Sequence, residues 1–509
     1  MYEQNYLAGH LRSGSAGREN SRFARLYDNG SEISFAEFFH EAERIAAVLQ
    51  EAGVGPGDRV AVQAEKSITA LALYVGTILA GAVFLPLNTA YTPAEIAYFL
   101  NDATPAVFVC DPQRLETLAP IAEKAGIAQI LTLDADGQGT LTDRQPAQSS
   151  FTAVPRDADD LAAILYTSGT TGRSKGAMLT HRNLASNAEV LRDYWQFTAD
   201  DVLIHALPIF HVHGLFVAVN TLLIAGASMI FMRGFDAQNI ISSMPNATVL
   251  MGVPTFYVRL LGQNKLADAA RSMRLFVSGS APLLAATHQQ WQSVTGHAIL
   301  ERYGMTETGM NTSNPYSGER RAGTVGFPLP GTEVIITDPQ TGEWLPQGET
   351  GSIEIRGPNV FKGYWQMPEK TAEELRDNGF FISGDLGFYD GAGYLNIVGR
   401  CKDLIITGGY NVYPKEVELL IDELPGVNES AVIGVPHPDF GEAVVAVVVP
   451  RSETELMAED IISALGGVLA RYKQPKQVFI VDALPRNTMG KVQKNVLREQ
   501  FSTVNRPPA

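Results

Sequence analysis

Cysteine is nearly absent: Cys110 and Cys401 are the only two in 509 residues. Two thiols cannot build the disulfide framework of a small secreted scaffold, and they fit a reducing compartment. Positive charge is also short. Lys and Arg number 39 against 55 Asp and Glu, a formal net charge of −16, which excludes a general role on nucleic acid or an anionic membrane, where phosphate contacts demand a basic face. Anionic ligands must instead meet local clusters of cations. The N-terminus, Met1-Tyr-Glu-Gln-Asn, lacks the basic stretch and apolar core of a secretory signal, so the cytoplasm is the expected location. No low-complexity segment occurs, and the short stretch after Lys491 leaves no room for a carrier domain.

Long apolar runs are equally scarce, with one exception: no charged residue stands between Lys66 and Glu95. That run is long enough to cross a bilayer, yet Gly81, Pro86 and Asn88 interrupt it. The expected reading is a buried helix over 68–80, a turn at Gly81 and a buried strand over 83–87. With 45% hydrophobic and 18% charged residues, the chain has the composition of a globular protein, and its length calls for two or more domains.

What is present in abundance is glycine and hydroxyl at one place, Tyr166-Thr-Ser-Gly-Thr-Thr-Gly-Arg-Ser-Lys-Gly176. Gly169, Gly172 and Gly176 permit backbone angles that let successive N–H groups converge on phosphate oxygens. Thr167, Ser168, Thr170, Thr171 and Ser174 add hydroxyl donors, and Lys175 adds charge. The segment departs from the Walker pattern, because Ser174 stands where the second glycine would fall, which argues against a P-loop kinase or GTPase. A surface linker of the same composition is disfavoured by the apolar run Leu161-Ala-Ala-Ile-Leu165 before it and the return of apolar residues at Ala177. The segment points to ATP.

The run Thr221-Leu-Leu-Ile-Ala-Gly-Ala-Ser-Met-Ile-Phe-Met232 repeats the pattern of Thr77-Ile-Leu-Ala-Gly-Ala-Val-Phe-Leu-Pro-Leu87: helix end, glycine corner, apolar strand. Chance recurrence and internal duplication both account for it. Apolar strands alternating with helices predict an α/β fold with sheets covered on both faces, with further strands over 60–63, 106–110, 248–251 and 275–278. Past residue 320, Gly/Pro turns and short alternating strands such as Gly351-Ser-Ile-Glu-Ile-Arg356 and Gly393-Tyr-Leu-Asn-Ile-Val398 predict a small β unit. From Lys402 onward, a helix over 414–424 and strands near 431–435 and 443–449 predict a separate α+β domain. The expected division is therefore 1–401 and 402–509.

Four further motifs follow the Gly/Ser/Thr segment in order: Tyr303-Gly-Met-Thr-Glu-Thr308, Ser383-Gly-Asp385, Gly399-Arg-Cys-Lys-Asp-Leu-Ile-Ile-Thr-Gly-Gly409 and Pro485-Arg-Asn-Thr-Met-Gly-Lys491. Together they resemble the adenylate-forming superfamily of acyl-CoA synthetases, luciferases and peptide-synthetase adenylation domains, over nearly the whole chain. Within it, His205-Ala-Leu-Pro-Ile-Phe-His-Val-His-Gly214, Met251-Gly-Val-Pro-Thr-Phe-Tyr257 and Asn487-Thr-Met-Gly-Lys-Val-Gln-Lys494 look most like the malonyl-CoA synthetases. The resemblance implies a large N-terminal domain of two similar α/β subdomains with a small β unit, followed by a small mobile C-terminal domain. It also implies two half-reactions, with ATP and CoA as co-substrates.

By the same resemblance Glu307 and Thr170 would ligate Mg2+, a hard cation that prefers oxygen, and Thr306 would reach the α-phosphate. Tyr303 would stack on adenine, with Glu301, Arg302, Gly304 and Met305 beside the nucleotide, and Ser280, Ala281 and Pro282 lining the nucleotide and acyl pockets. Asp385 would hold the ribose hydroxyls with Arg400 nearby, Lys491 would bring positive charge to the reacting carboxylate, Lys402 would be the hinge, and Gly408 and Gly409 would line the CoA channel. His211 would gate the carboxylate pocket as a member of the catalytic set with Lys491, Glu307 and Thr306, and Met305 would border that pocket. Arg259 would grip the second carboxylate of a diacid.

A metal site built from His205, His211 and His213 is the rival reading of the histidine run, disfavoured by the lack of Cys or carboxylate partners. Methylmalonate or another short acid, and loading of a carrier protein in place of free CoA, are the alternatives for the substrates. A noncatalytic nucleotide-binding protein is the alternative of another class, opposed by the joint presence of Lys175, Glu307, Asp385, Arg400 and Lys491. A lysine acyltransferase acting on Lys491 is the one expected protein partner.

Overall fold

The computed structural model describes residues 2–148, 151–167, 174–451, 454, 456–466, 468–487 and 490–502. The chain divides into two compact units, residues 1–333 with 355–381, and residues 334–354 with 382–509.

The first unit is built on two mostly parallel sheets. One has six strands in the order Gln129–Thr132, Val107–Cys110, Arg59–Gln63, Val83–Pro86, Leu161–Thr167 and Lys175–Thr180, with only the last pair antiparallel. The other has nine, and its parallel centre runs Leu300–Met305, Leu275–Ser278, Val249–Gly252, Val202–His205, Ser228–Phe231, Arg22–Leu26.

The uncharged run after Lys66 forms core. Ser67 caps the helix Ile68–Leu79 by accepting the Ala70 N–H, and ten of the helix's residues are buried. Gly81 turns the chain at φ +73, and the strand Val83–Pro86 is buried throughout. No described helix is long and apolar enough to cross a membrane. Gly76 lets this helix approach its neighbour Phe35–Glu51 closely, since a β-carbon there would stand 2.8 Å from the Ala42 carbonyl oxygen.

The second corner repeats the first. The strand Val202–His205 leads into a π-wound turn over His213–Asn220, the helix Thr221–Ala225, Gly226 at φ +65 and the parallel strand Ser228–Phe231. Both corners are strand–helix–strand units of parallel hand, as the repeated pattern anticipates. The expected strands at 60–63, 106–110, 248–251 and 275–278 are present within a residue or two of their expected limits.

The second unit contains a four-stranded sheet ordered Glu333–Thr337, Gly351–Arg356, Phe381–Tyr389, Leu395–Arg400. By proximity this small sheet groups with the C-terminal α+β part, although it precedes Lys402 in sequence. In that part the strand Gly441–Pro450 lies between Val427–His437 and Ile405–Thr407, with Gln477–Ile480 parallel beside it. Its unbroken apolar run serves two cores. Val444, Ala446 and Val448 meet Val417, Ile421, Ile461 and Leu465 on one face, while Ala443, Val445 and Val447 meet Leu497 and Phe501 on the other.

The C-terminal helix is tied to the helix Pro414–Asp422 by an ion pair from half-buried Lys494 Nζ to buried Glu418 Oε1 at 2.5 Å. One turn on, Asp422 accepts a 2.7 Å hydrogen bond from the Ser430 hydroxyl. Burial nevertheless raises its carboxyl from 3.8 to about 6. A folded-state pKa raised above the unfolded value means that stability is lost as pH climbs between those two values, then stays level. Asp422→Asn should therefore be more stable than the parent at pH 7 by up to about 3 kcal/mol, with no gain at pH 4. Thermal midpoints of both proteins at the two pH values check this.

Candidate active site

The segment Thr306-Glu307-Thr308 is a turn between the strands Leu300–Met305 and Gly309–Ser313, and its glycines make the turn possible. A β-carbon on Gly304 would lie 2.1 Å from the Gly309 carbonyl oxygen, and Gly309 itself has φ +57 with Asn187 Oδ1 where its side chain would start. Two asparagines clamp the turn. Asn187 accepts from the Met310 N–H and donates to the Met310 carbonyl. Asn359 donates to the Thr308 carbonyl at 2.7 Å and to Asn311 Oδ1 at 3.1 Å. The Glu307 carbonyl accepts the Phe361 N–H at 2.8 Å.

Thus held, Glu307 is buried, and burial raises its carboxyl above the ordinary range. Tyr364 OH lies 3.1 Å from Glu307 Oε1 and 2.6 Å from Glu374 Oε2. Glu374 in turn holds the Lys175 ammonium at 3.1 and 3.2 Å. Burial acts to raise the Glu374 carboxyl, but the hydrogen bonds from Tyr364, Lys370 and Lys175 prevail and lower it. Ser168, Gly169, Thr170, Thr171 and Gly172 lie outside the described residues. Thr167 is placed, its hydroxyl donating to the Lys175 carbonyl at 3.4 Å.

The loop expected to line the acyl pocket is strained and lies beside a buried cation. Ser280 adopts φ +70, costly for a residue with a β-carbon, and its hydroxyl lies 3.3 Å from His213 Nδ1. Ala281 and Pro282 follow it, half-buried and exposed. Arg302 is buried, and among the described residues its Nε and Nη2 have no hydrogen-bond partner. Burial lowers its guanidinium to about 9. Gly279 gives it room, since a β-carbon there would stand 2.3 Å from the Arg302 Cζ.

Arg259 is placed otherwise. It sits on the exposed side of the helix Pro254–Leu261, about 200° around from the buried Tyr257, with its guanidinium 5.5 Å from the Phe235 ring centroid.

Glu301 is bound into the protein by His288 Nδ1 and the Gly323 N–H, both at 3.1 Å. Tyr303 is buried, with its hydroxyl 3.9 Å from Met305 Sδ. The three histidines of the rival metal reading have separate commitments. His205 Nε2 bonds the Gly214 carbonyl at 2.7 Å, His211 Nδ1 accepts the His213 N–H, and His213 faces Ser280. Among the described residues no group of three or more His, Cys, Asp or Glu side chains could hold a metal.

In the second unit Asp385 and Arg400 face each other across paired strands, with Nε to Oδ1 at 3.1 Å. The Lys491 loop is closed by its N–H donating to Asn487 Oδ1 and by its carbonyl accepting the Asn487 N–H, both at 2.9 Å. Partial desolvation, then the like charges of Arg400, Lys491 and Arg498, push the Lys402 ammonium down to about 8. Asp403 opposes that shift, and it pairs with Arg498 at 2.6 Å. Gly408 and Gly409 both take positive φ, at +58 and +84.

A hydroxyl-rich segment ending in lysine, a clamped turn presenting a buried carboxylate, and a separate lysine loop are the parts of an adenylate-forming enzyme. Residues 14–365 match the family model for the AMP-binding enzyme, and residues 416–491 match that for the AMP-binding enzyme C-terminal domain. The chain belongs to the AMP-binding enzyme family. Malonate–CoA ligase of Arabidopsis thaliana is 37% identical over 482 residues, covering 87% of this chain and 78% of its own. Feruloyl-CoA synthase of an Amycolatopsis species is 37% identical over 477 residues, covering 93% and 94%. The crystal structure of ATP-bound MatB from Rhodopseudomonas palustris matches with a TM-score of 0.96 at 57% identity, over 99% of this chain and 100% of that one.

Asn187, Asn359, Tyr364 and Glu374 were not evident from sequence, because side-chain amides and phenols that bond distant backbone leave no spacing signature. Asn359→Ala strands the Thr308 carbonyl, at a cost of about 1–3 kcal/mol, and frees the turn that carries Glu307. ATP–pyrophosphate exchange should fall at least tenfold, with a lowered thermal midpoint.

Proposed function

We propose that this chain joins malonate to coenzyme A at the expense of ATP, through a malonyl-adenylate. The observation that carries the choice of acid is Arg302, a buried guanidinium with two nitrogens lacking partners beside the Ser278–Pro282 loop. A buried cation without a counter-ion is costly, and a second carboxylate on the substrate supplies one, bidentately. Arg302 therefore takes the distal carboxylate, with Arg259 at the rim. Ser280 and His213 form the adjoining wall, and His211 and Met305 border it.

A carboxylate is a poor electrophile until activated. Its oxygen attacks the α-phosphorus of ATP, pyrophosphate leaves, and the acyl carbon then accepts the CoA thiol as AMP departs. Asp385, oriented by Arg400, accepts from the ribose hydroxyls; Tyr303 packs against adenine; Thr306 and Lys175 meet phosphate. Lys491 neutralises charge between carboxylate and α-phosphate in the first step. Glu307 and Thr170 would hold Mg2+, which when bound offsets the charge of the phosphates. A buried carboxylate hydrogen-bonded by a single tyrosine fits that ion, which takes one or two carboxylates and otherwise phosphate oxygens and water.

Rotation of residues 402–509 about Lys402 would exchange the Lys491 loop for the Gly408-Gly409 turn, where missing side chains let the pantetheine thiol approach. Acylation of Lys491 by a lysine acyltransferase would silence the first step by removing its charge. The free thiols of Cys110 and Cys401 suit the cytoplasm.

Lys491→Ala should cripple malonyl-adenylate formation yet spare thioester formation from supplied malonyl-adenylate; equal loss of both would refute the division of labour. Arg302→Leu should lower kcat/KM for malonate at least about 30-fold, the equivalent of 2–5 kcal/mol, and shift preference toward acetate and propionate. Unchanged malonate kinetics in a panel of acetate, propionate, malonate, methylmalonate and succinate would remove Arg302 from the assignment. CoA-dependent AMP release reports all five acids.

A further inference from the structure

Lys175 does not wait for phosphate with its charge exposed. Glu374 holds its ammonium with both carboxylate oxygens, at 3.1 and 3.2 Å, and the same ammonium sits 4.0 Å from the centroid of the Tyr364 ring. Glu374 ends the seven-residue helix Pro368–Glu374, where the helix dipole disfavours a carboxylate, so helix stability does not explain its position. Three donors do: Lys175, Tyr364 OH at 2.6 Å, and Lys370 Nζ at 3.0 Å from one turn earlier on the same helix.

This arrangement is suited to exchange of partners. The side chains of Lys175 and Glu374 are 20% and 22% exposed, open enough for a ligand to reach the pair. Lys370 and Tyr364 remain to neutralise Glu374 once Lys175 has left it. A carboxylate clasping the lysine and an incoming polyphosphate offer the same chemistry, anionic oxygen to ammonium, and an ammonium has only three hydrogens to share.

We propose that Glu374 is a placeholder for the terminal phosphates of ATP, a positioning residue that keeps Lys175 in place in the empty site and is displaced when the triphosphate binds. The proposal rests on the assignment of Lys175 to the phosphates. It separates nucleotides by their phosphate tail: Glu374 competes with ATP, whose tail needs Lys175, and not with AMP, which has none.

Calorimetric titration of the full chain with MgATP and with AMP tests this. Glu374→Gln should tighten MgATP three- to tenfold and leave AMP within twofold, while Glu374→Asp, which keeps the charge, should stay within twofold of the parent for both. In a Lys175→Ala background the Glu374→Gln effect should vanish. Lys370→Gln, which leaves Glu374 more dependent on Lys175, should act oppositely and weaken MgATP two- to threefold with AMP unchanged; it decides the matter if Glu374→Gln fails to fold. Weaker MgATP binding by Glu374→Gln, equal shifts for ATP and AMP, or an effect that survives Lys175→Ala would overturn the placeholder and leave the phosphate assignment intact. MgATP affinity unaffected by Lys175→Ala would overturn both.

Discussion

A lysine ammonium buried between two sheets is the interaction on which the first unit depends. Lys66 donates to the His205 carbonyl at 2.9 Å and to the Met232 carbonyl at 2.6 Å. It leaves the end of one parallel layer and fastens the ends of two strands in the other. Burial lowers its pKa well below the usual lysine value, and its charge acts on His205 in turn. Desolvation first, then Lys66, lower that imidazole to about 3, so it stays neutral, and with Nε2 donating to the Gly214 carbonyl it fixes the start of the π-wound turn. His213 lies in that turn and meets Ser280. A staple between layers is thereby linked to the contact between His213 and Ser280, with each step a hydrogen bond or a charge acting over a short distance.

The nucleotide side follows a different logic. Around Glu307 the backbone carbonyls of the turn are held by asparagine amides from remote parts of the chain, so the turn's shape does not depend on the ligand. The charged groups are linked differently, since Glu374 meets three donors, Lys175, Lys370 and Tyr364, any one of which can leave while the others remain. A rigid frame with exchangeable counter-ions suits a site that must accept a triphosphate and then release its pieces.

Much of this was legible in the chain. The helix–glycine–strand corners at Gly81 and Gly226 could be read because apolar runs and left-handed glycines are local signals, and the apolar run over 443–449 could be read as a strand, though not that it serves two cores. The ordered motifs placed Glu307, Asp385 and Lys491 in a family. The sequence assigned the second carboxylate to Arg259 and set Arg302 beside the nucleotide, with no signal for how deeply either is buried. What distinguishes them is three-dimensional: Gly279, in another loop, vacates the space that Arg302 fills, while Arg259 falls on the outer side of its helix. Proximity in space also groups the small sheet over 334–400 with the C-terminal part, which order along the chain did not suggest.

The unsatisfied guanidinium of Arg302 has a consequence for the enzyme at rest. A buried guanidinium whose Nε and Nη2 meet no partner among the described residues would be lowered in energy by any small anion able to reach it. If Arg302 takes the distal carboxylate as proposed, chloride, bicarbonate and acetate from the medium would compete with the substrate for it. The apparent affinity for a diacid would then depend on the salt in which it is measured, through occupancy of one pocket and not through screening at the surface.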